Sequence, residues 1–141
     1  MGCDIHGWVE ITNIYKNSPE FIDAIIELPY RRNYAWFATL AGVRNSFNLK
    51  VLSEPKGLPD KMSIMAELLR AEWKDDGHSY SYLTYKELRG IDWLQLVPYA
   101  DGPMQLTKAV GPTWFGLWLM LGYLASVYGE DNVRMVFWFD N

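Results

Sequence analysis

Cysteine and histidine are scarce in this sequence. Its 141 residues include one cysteine, Cys3, and two histidines, His6 and His78. A single cysteine cannot form an intrachain disulfide, which excludes a small secreted scaffold held by such bonds and suits a reducing compartment. The first residues also lack the basic region and apolar run of a secretory signal peptide. We therefore expect the protein to act in a cytoplasm.

An excess of positive charge and a long hydrophobic run are also missing. The formal net charge is −4, which argues against broad binding to nucleic acid or anionic membranes, because both need a basic surface. The apolar stretch WFGLWLMLGYLASVY falls short of the roughly 20 residues that cross a bilayer. The composition is nevertheless 50% hydrophobic, which is too apolar for a disordered chain. One folded domain over residues 1–141 is predicted.

Periodicity predicts an α+β domain with a small central sheet. Apolar and polar residues alternate over residues 3–12, so Asp4, His6, Trp8 and Glu10 share one face of a strand. The last segment, VRMVFWF, alternates in the same way and predicts a second strand beside the first. An apolar helix at about residues 113–128 is expected to pack on this sheet, at the centre of the domain or at a dimer interface.

Capping residues predict further helices. Asn33 is a candidate N-cap for a helix that reaches Arg44, and Ser63 caps a helix that ends at Trp73. Thr84 and Glu87 have the spacing of a capping box and predict a short helix directly afterwards. The segment KDDGHSYS and residues 90–111 are predicted as loops, with one short strand near Leu94–Pro98.

Each histidine follows an aspartate by two residues. Asp4 and His6 lie on the first strand, and Asp76 and His78 lie in the segment KDDGHSYS. If that segment folds over the first strand, these four side chains could hold a divalent metal such as Zn or Mn. Metal-bound water could then attack a phosphoester, with Glu10 as general base. The alternative is that both histidines only form hydrogen bonds with neighbouring acids.

Residues suited to an anionic ligand lie beside these motifs. The arginines offer forked donors for phosphate, and a tryptophan could stack on a base. The predicted ligand-binding set is Trp8, Arg31, Arg32, Asn33, Trp36, Arg44, Asn45, Asp76, His78 and Ser79. The alternative is that the arginines are solvated surface charges and that the aromatic residues fill the core.

Five blocks of sequence, in order, resemble a family of small bacteriophage and prophage proteins that begin with MGCDIH and end with a segment similar to VFWFDN. The blocks are MGCDIH, RNYAWFATLAGVRN, KGLPDKMS, DDGHSYSYLT and VRMVFWFDN. The resemblance covers nearly the whole chain, although Lys56 stands where the family pattern has arginine. It implies a phage product in the cytoplasm of an infected bacterium, where small phage proteins often counter host defence.

Three functions remain open at this point. The first is sequestration of a small nucleotide-type ligand that serves as a host defence signal. The second is metal-dependent hydrolysis of such a ligand by a phosphodiesterase-like reaction. The third is direct inhibition of a host defence protein through an aromatic patch. A homodimer is compatible with all three, and a membrane partner with none.

Overall fold

The computed structural model describes residues 2–12 and 22–141. Its main sheet has four strands in the order β2-β1-β6-β3, and all neighbours are antiparallel. A separate two-stranded sheet pairs β4 with β5. The strands are β1 Ile5–Thr12, β2 Ile22–Glu27, β3 His78–Thr84, β4 Leu96–Tyr99, β5 Gly102–Gln105 and β6 Val133–Phe139.

Five helices accompany the two sheets in the described chain. Asn33 caps the first helix by accepting from the Trp36 amide, and Ser63 caps the second by accepting from the Ala66 amide. The third begins with a complete capping box between Thr84 and Glu87. The helices are α1 Tyr34–Ala41, α2 Ile64–Trp73, α3 Tyr85–Leu88, α4 Leu106–Ala109 and α5 Gly111–Tyr128.

The first and last strands lie side by side at the centre of the main sheet. Their pairing runs from Ile5 opposite Phe139 to Ile11 opposite Val133. Gly7 is required in this pairing, because its φ is +151° and a Cβ there would lie 1.9 Å from the carbonyl oxygen of Val136. The backbones of β1 and β6 therefore approach closely where the sequence reads Asp-Ile-His-Gly.

Both faces of the main sheet are covered. The apolar face, with Ile5 and Val9 on β1, joins the core that contains the buried residues of α1 and α5. The opposite face carries His6 and Glu10, which are also buried, because α2 and the segment before it lie over them. The polar alternation of β1 therefore faces a second interior layer and not solvent.

The predicted fold is confirmed in its main features. The domain is α+β, the terminal strands are neighbours, and the apolar helix packs on the sheet. Two loop predictions are wrong: residues 78–81 of the predicted loop KDDGHSYS belong to β3, and β5 and α4 lie within the predicted loop of residues 90–111. In residues 2–12 and 22–141, no helix is long and apolar enough to cross a membrane.

Candidate functional site

Asp140 is the residue on which the two ends of the chain converge. Its carboxylate accepts a hydrogen bond from His6 Nε2 at 2.8 Å and another from the Asp4 amide at 2.9 Å. Its backbone amide donates to the Asp4 carbonyl. These bonds hold the Asp-Ile-His motif of β1 against the end of β6, so the site depends on correct pairing of the terminal strands.

His6 is held in one ring orientation by this carboxylate. A carboxylate can only accept, so Nε2 carries a proton in this contact, and in the neutral form of the ring Nδ1 would present a lone pair. Nδ1 is buried and has no hydrogen-bond partner among the described residues. The ring lies against Trp73, with 3.9 Å between the ring centroids. A carboxylate-oriented imidazole with a bare second nitrogen is the arrangement of a general base.

Asp4 and Arg32 form a forked ion pair beside this unit. Arg32 Nε donates to one carboxylate oxygen at 3.0 Å, and Nη2 donates to the other at 2.9 Å. Hydrogen bonding to Arg32 lowers the pKa of the Asp4 carboxyl. The same bond raises the pKa of the Arg32 guanidinium. Both groups therefore stay charged at neutral pH.

The second histidine reaches the same C-terminal segment from β3. His78 Nε2 lies 3.1 Å from the Asp140 carbonyl oxygen, and Nδ1 lies 2.9 Å from the Ser79 hydroxyl. Ser79 has φ +55°, and the pairing of β3 with β6 shifts register between His78 and Ser81. A non-glycine residue at positive φ is strained, and such strain persists where neighbouring contacts enforce it.

A cleft of about 560 Å³ opens in front of Asp140. We call it the acidic cleft, and it is lined by Gly2, Asp4, Trp73, Asp75, Asp76, Asp140 and Asn141. Four of its seven residues are aspartates, and Trp73 supplies its aromatic wall. The predicted site residues Asp4 and Asp76 therefore lie in one cleft, and His6 lies behind Trp73.

A smaller cleft of about 230 Å³ lies on the other side of Arg32. We call it the basic cleft, and it is lined by Arg31, Arg32, Asn33 and residues 110–114. Residues 111–114 form the first turn of α5, which spans 18 residues. The amides of a first turn have no partner within the helix and carry partial positive charge, and Pro112 is the one residue of this turn without an N–H. The two clefts are joined by the Asp4–Arg32 ion pair, because each partner lines one of them.

The predicted stacking residues lie elsewhere. Trp36 is 1% exposed and packs between Trp93 and Trp114, with 5.8 Å between the ring centroids on each side. Both of its faces are taken up by the core, so the prediction that Trp36 stacks on a ligand is corrected. Trp8 is half-buried on β1 between Glu27 and Val136 and lines neither cleft.

Two predicted polar ligands have structural partners. Asn33 uses its carbonyl oxygen to cap α1 and its amide nitrogen to donate to the Ala109 carbonyl. Asn45 exchanges two hydrogen bonds with the backbone of Leu49 and thereby fixes a loop. Arg44 lies over the Tyr34 ring at 5.6 Å and lines neither cleft. Of the three predicted phosphate-binding arginines, Arg31 and Arg32 share a cleft.

The four predicted metal ligands are only partly brought together. Asp4 pairs with Arg32, His6 with Asp140, and His78 with Ser79 and the backbone. In the described part of the chain, no group of three or more His, Cys, Asp or Glu side chains is arranged to hold a metal ion. The alternative that the histidines bond to neighbouring acids holds for His6, whereas His78 bonds to a serine hydroxyl and a backbone carbonyl.

Glu10 has a structural role that the sequence did not indicate. It is fully buried, accepts from Arg134 Nε at 2.8 Å and accepts from the Ser63 amide at 2.6 Å. Ser63 is the N-cap of α2, so Glu10 ties the start of that helix to β1. The prediction of Glu10 as general base is corrected, because both carboxylate oxygens are engaged away from the clefts.

Two important site residues were missed by sequence reasoning. Asp140 was passed over because it follows an apolar strand, although Asp-Asn after VFWF was a signal. Trp73 is the last residue of α2, and its signal in the sequence is that it directly precedes the Lys-Asp-Asp-Gly-His segment. No known protein family, curated protein or solved structure matches this chain.

Proposed function

We propose that this protein binds a small phosphate-bearing, nucleotide-type ligand across the acidic and basic clefts. The observation that carries the proposal is the Asp4–Arg32 ion pair, which joins a 560 Å³ cleft with an aromatic wall to a 230 Å³ cleft with two arginines. The two clefts have opposite charge and together have the size of small-molecule sites. An amphoteric ligand with one hydroxyl-rich part and one anionic part fits this division.

The acidic cleft suits a nucleoside. Trp73 is half-buried and lines the wall, where its ring can stack on a base. The carboxylates of Asp75 and Asp76 are exposed acceptors for ribose hydroxyls and base amino groups. Asp4 is already paired with Arg32, which lowers the negative charge that a ligand meets there.

The basic cleft suits a phosphate. Arg31 is exposed at its rim, and its backbone carbonyl accepts from Trp114 Nε1 at 2.9 Å, which fixes the chain against α5. Arg32 keeps one guanidinium nitrogen outside its bonds to Asp4. Guanidinium groups together with first-turn amides are common phosphate donors.

The biological setting of the proposal is phage counter-defence. The five-block resemblance to phage and prophage proteins supports action in the cytoplasm of an infected bacterium. Sequestration needs only binding, so the two clefts are sufficient for it. The captured ligand would be a nucleotide signal of a host defence system.

A second candidate function is hydrolysis of the same ligand. The observation that favours it is the His6–Asp140 pair, in which the carboxylate fixes the imidazole and leaves Nδ1 without a partner in the described chain. A general base of this kind could activate water without a metal. Trp73 lies between this ring and the acidic cleft, so hydrolysis would require Trp73 to move.

Binding is tested by calorimetry with inorganic phosphate, a nucleoside, its monophosphate and a cyclic dinucleotide. We expect the monophosphate or the dinucleotide to bind more tightly than the nucleoside, and Arg31→Gln to weaken it about tenfold or more. Arg70→Gln, which removes an exposed arginine on α2, is the matched control. No binding of any probe, or equal losses in both variants, would contradict the proposal.

Identity of the ligand and its fate are tested by capture and release. The protein is incubated with a nucleotide pool from defence-activated cells, filtered and denatured, and the released molecules are identified by mass spectrometry. An intact nucleotide supports sequestration, and loss of one species with matching products supports hydrolysis. Product formation that a chelator abolishes would restore the metal-dependent reaction. An unchanged pool would favour direct inhibition of a host protein.

A further inference from the structure

Helix α5 presents an uncharged apolar stripe to solvent. Its buried face consists of Trp114, Leu117, Leu121 and Ala125, which belong to the core. The opposite face carries Gly116, Leu119, Met120, Tyr123 and Val127, which we call the α5 stripe. At 100° per residue these five positions fall within about one third of the helix circumference. No residue between Gly111 and Tyr128 is charged.

We propose that the α5 stripe is the contact surface of a homodimer in which two copies of α5 pack antiparallel. This inference goes beyond ligand binding and does not depend on it. Leu119, Met120, Tyr123 and Val127 are 60%, 36%, 70% and 52% exposed. Contiguous apolar patches of several hundred Å² are often functional surfaces.

The size of the stripe fits a weak, reversible dimer. The four side chains expose on the order of 400 Å² per copy, given their exposed fractions and ordinary side-chain areas. Two copies with the flanking residues would bury about 1,000 Å², which is at the low end of specific interfaces. A dissociation constant on the order of tens of micromolar is expected for such an area.

The stripe is complementary to itself in an antiparallel arrangement. We place the two-fold axis perpendicular to the helices, at the level midway between residues 121 and 122. Gly116 of one copy then lies opposite Val127 of the other. A Cβ at Gly116 would meet nothing within 4 Å, so this position leaves room for the opposing valine. Met120 then lies opposite Tyr123, and sulfur and aromatic rings make favourable contacts. Each pair occurs twice, as an isologous interface requires.

Charge at the two ends of α5 favours the same arrangement over other occupants. Lys108 and Arg31 lie at the start of the helix. Asp131 follows its end, beside Glu130, whose carboxylate is already paired with Arg89. Antiparallel packing brings the positive start of each copy towards the acidic end of the other. The helix dipoles also oppose each other favourably. A second copy would therefore cover the apolar stripe and bring opposite charges together at both ends of the helix.

The dimer is tested by sedimentation equilibrium of the full chain between about 1 and 300 µM. We expect a concentration-dependent rise in mass from monomer to dimer. Leu119→Asp should weaken association about 30-fold or more, because it places a charge at the centre of the interface. Leu94→Asp, which changes an equally exposed leucine outside α5, is the matched control and should leave association unchanged.

The orientation is tested with introduced cysteines, since the native Cys3 is fully buried. Gly116→Cys and Val127→Cys proteins are mixed under a mild oxidant. Antiparallel packing predicts disulfides between the two variants, and parallel packing predicts disulfides within each variant. A chain that stays monomeric at all concentrations, or equal effects of Leu119→Asp and Leu94→Asp, would overturn the proposal. Disulfides within each variant alone would overturn the antiparallel arrangement.

Discussion

Removal of the buried carboxylate of Glu10 should be one of the most destabilising single changes outside the apolar core. It accepts from Arg134 Nε and from the Ser63 amide, and its side chain has no solvent exposure. Glu10→Ala removes both acceptors at once. The Ser63 amide and a largely buried guanidinium would then lose their partners, which is the costly way to break a buried ion pair.

The loss of unfolding free energy in Glu10→Ala depends on the contacts that Arg134 keeps. Breaking a buried pair typically costs about 3–5 kcal/mol. Arg134 is 17% exposed and keeps its hydrogen bond to the Lys61 carbonyl, so the lower end applies. With a urea m-value of about 2 kcal/mol/M for a domain of this size, the unfolding midpoint of Glu10→Ala should fall by about 1.5 M.

Urea unfolding followed by circular dichroism is the assay. Glu10→Gln keeps one acceptor oxygen and should fall between wild type and Glu10→Ala. Glu54→Ala removes an exposed glutamate and should change the free energy of unfolding by less than about 0.5 kcal/mol. If Glu10→Ala unfolded like wild type, the structural role of Glu10 would be wrong, and its role as a general base would have to be reconsidered.

Three further predictions concern backbone geometry and charge. Gly7→Ala should destabilise the fold by about 4 kcal/mol or more in urea unfolding, because the new Cβ would collide with the Val136 carbonyl. Lys74→Gly should raise the free energy of unfolding by about 1 kcal/mol, because Lys74 has φ 43° and ψ −118°. Because Arg32 lowers the pKa of Asp4, the stabilisation from this pair is complete above the ordinary value of 3.8 and is lost as pH falls through the lowered value. Asp4→Asn should therefore show a flatter dependence of unfolding free energy on pH below about pH 4 than wild type.

The fold was predictable where short-range signals were strong. The alternation of β1 and β6, the caps Asn33 and Ser63, and the capping box at Thr84 each follow from local chemistry. The strand β3 was missed because His78 and Ser79 sit at an irregular pairing, and Gly77 precedes them. Turn-forming residues at that point outweigh the alternation of the tyrosines that follow.

The site was predictable as a location but not as a set of contacts. The sequence predicts that Asp4 and His6 lie together, and in the structure the Asp4 amide and the His6 ring both bond to the Asp140 carboxylate. The partners Arg32 and Asp140 come from residues 28 and 134 positions away, and no local pattern reports such contacts. The same limit explains Trp36, whose burial between two other tryptophans is decided by α5 and the loop before β4.

Ligand binding and dimerisation should oppose each other if both proposals hold. The start of α5 lines the basic cleft, and in the antiparallel dimer it would face the acidic end of the second copy. A bound phosphate would cancel the positive charge that attracts Asp131. A ligand that weakens the dimer must, by linkage, bind the dimer more weakly by the same factor. Sedimentation at constant ionic strength should therefore show less dimer when a bound nucleotide monophosphate is present. Arg31→Gln should reduce this difference, because it removes the charge that both partners use.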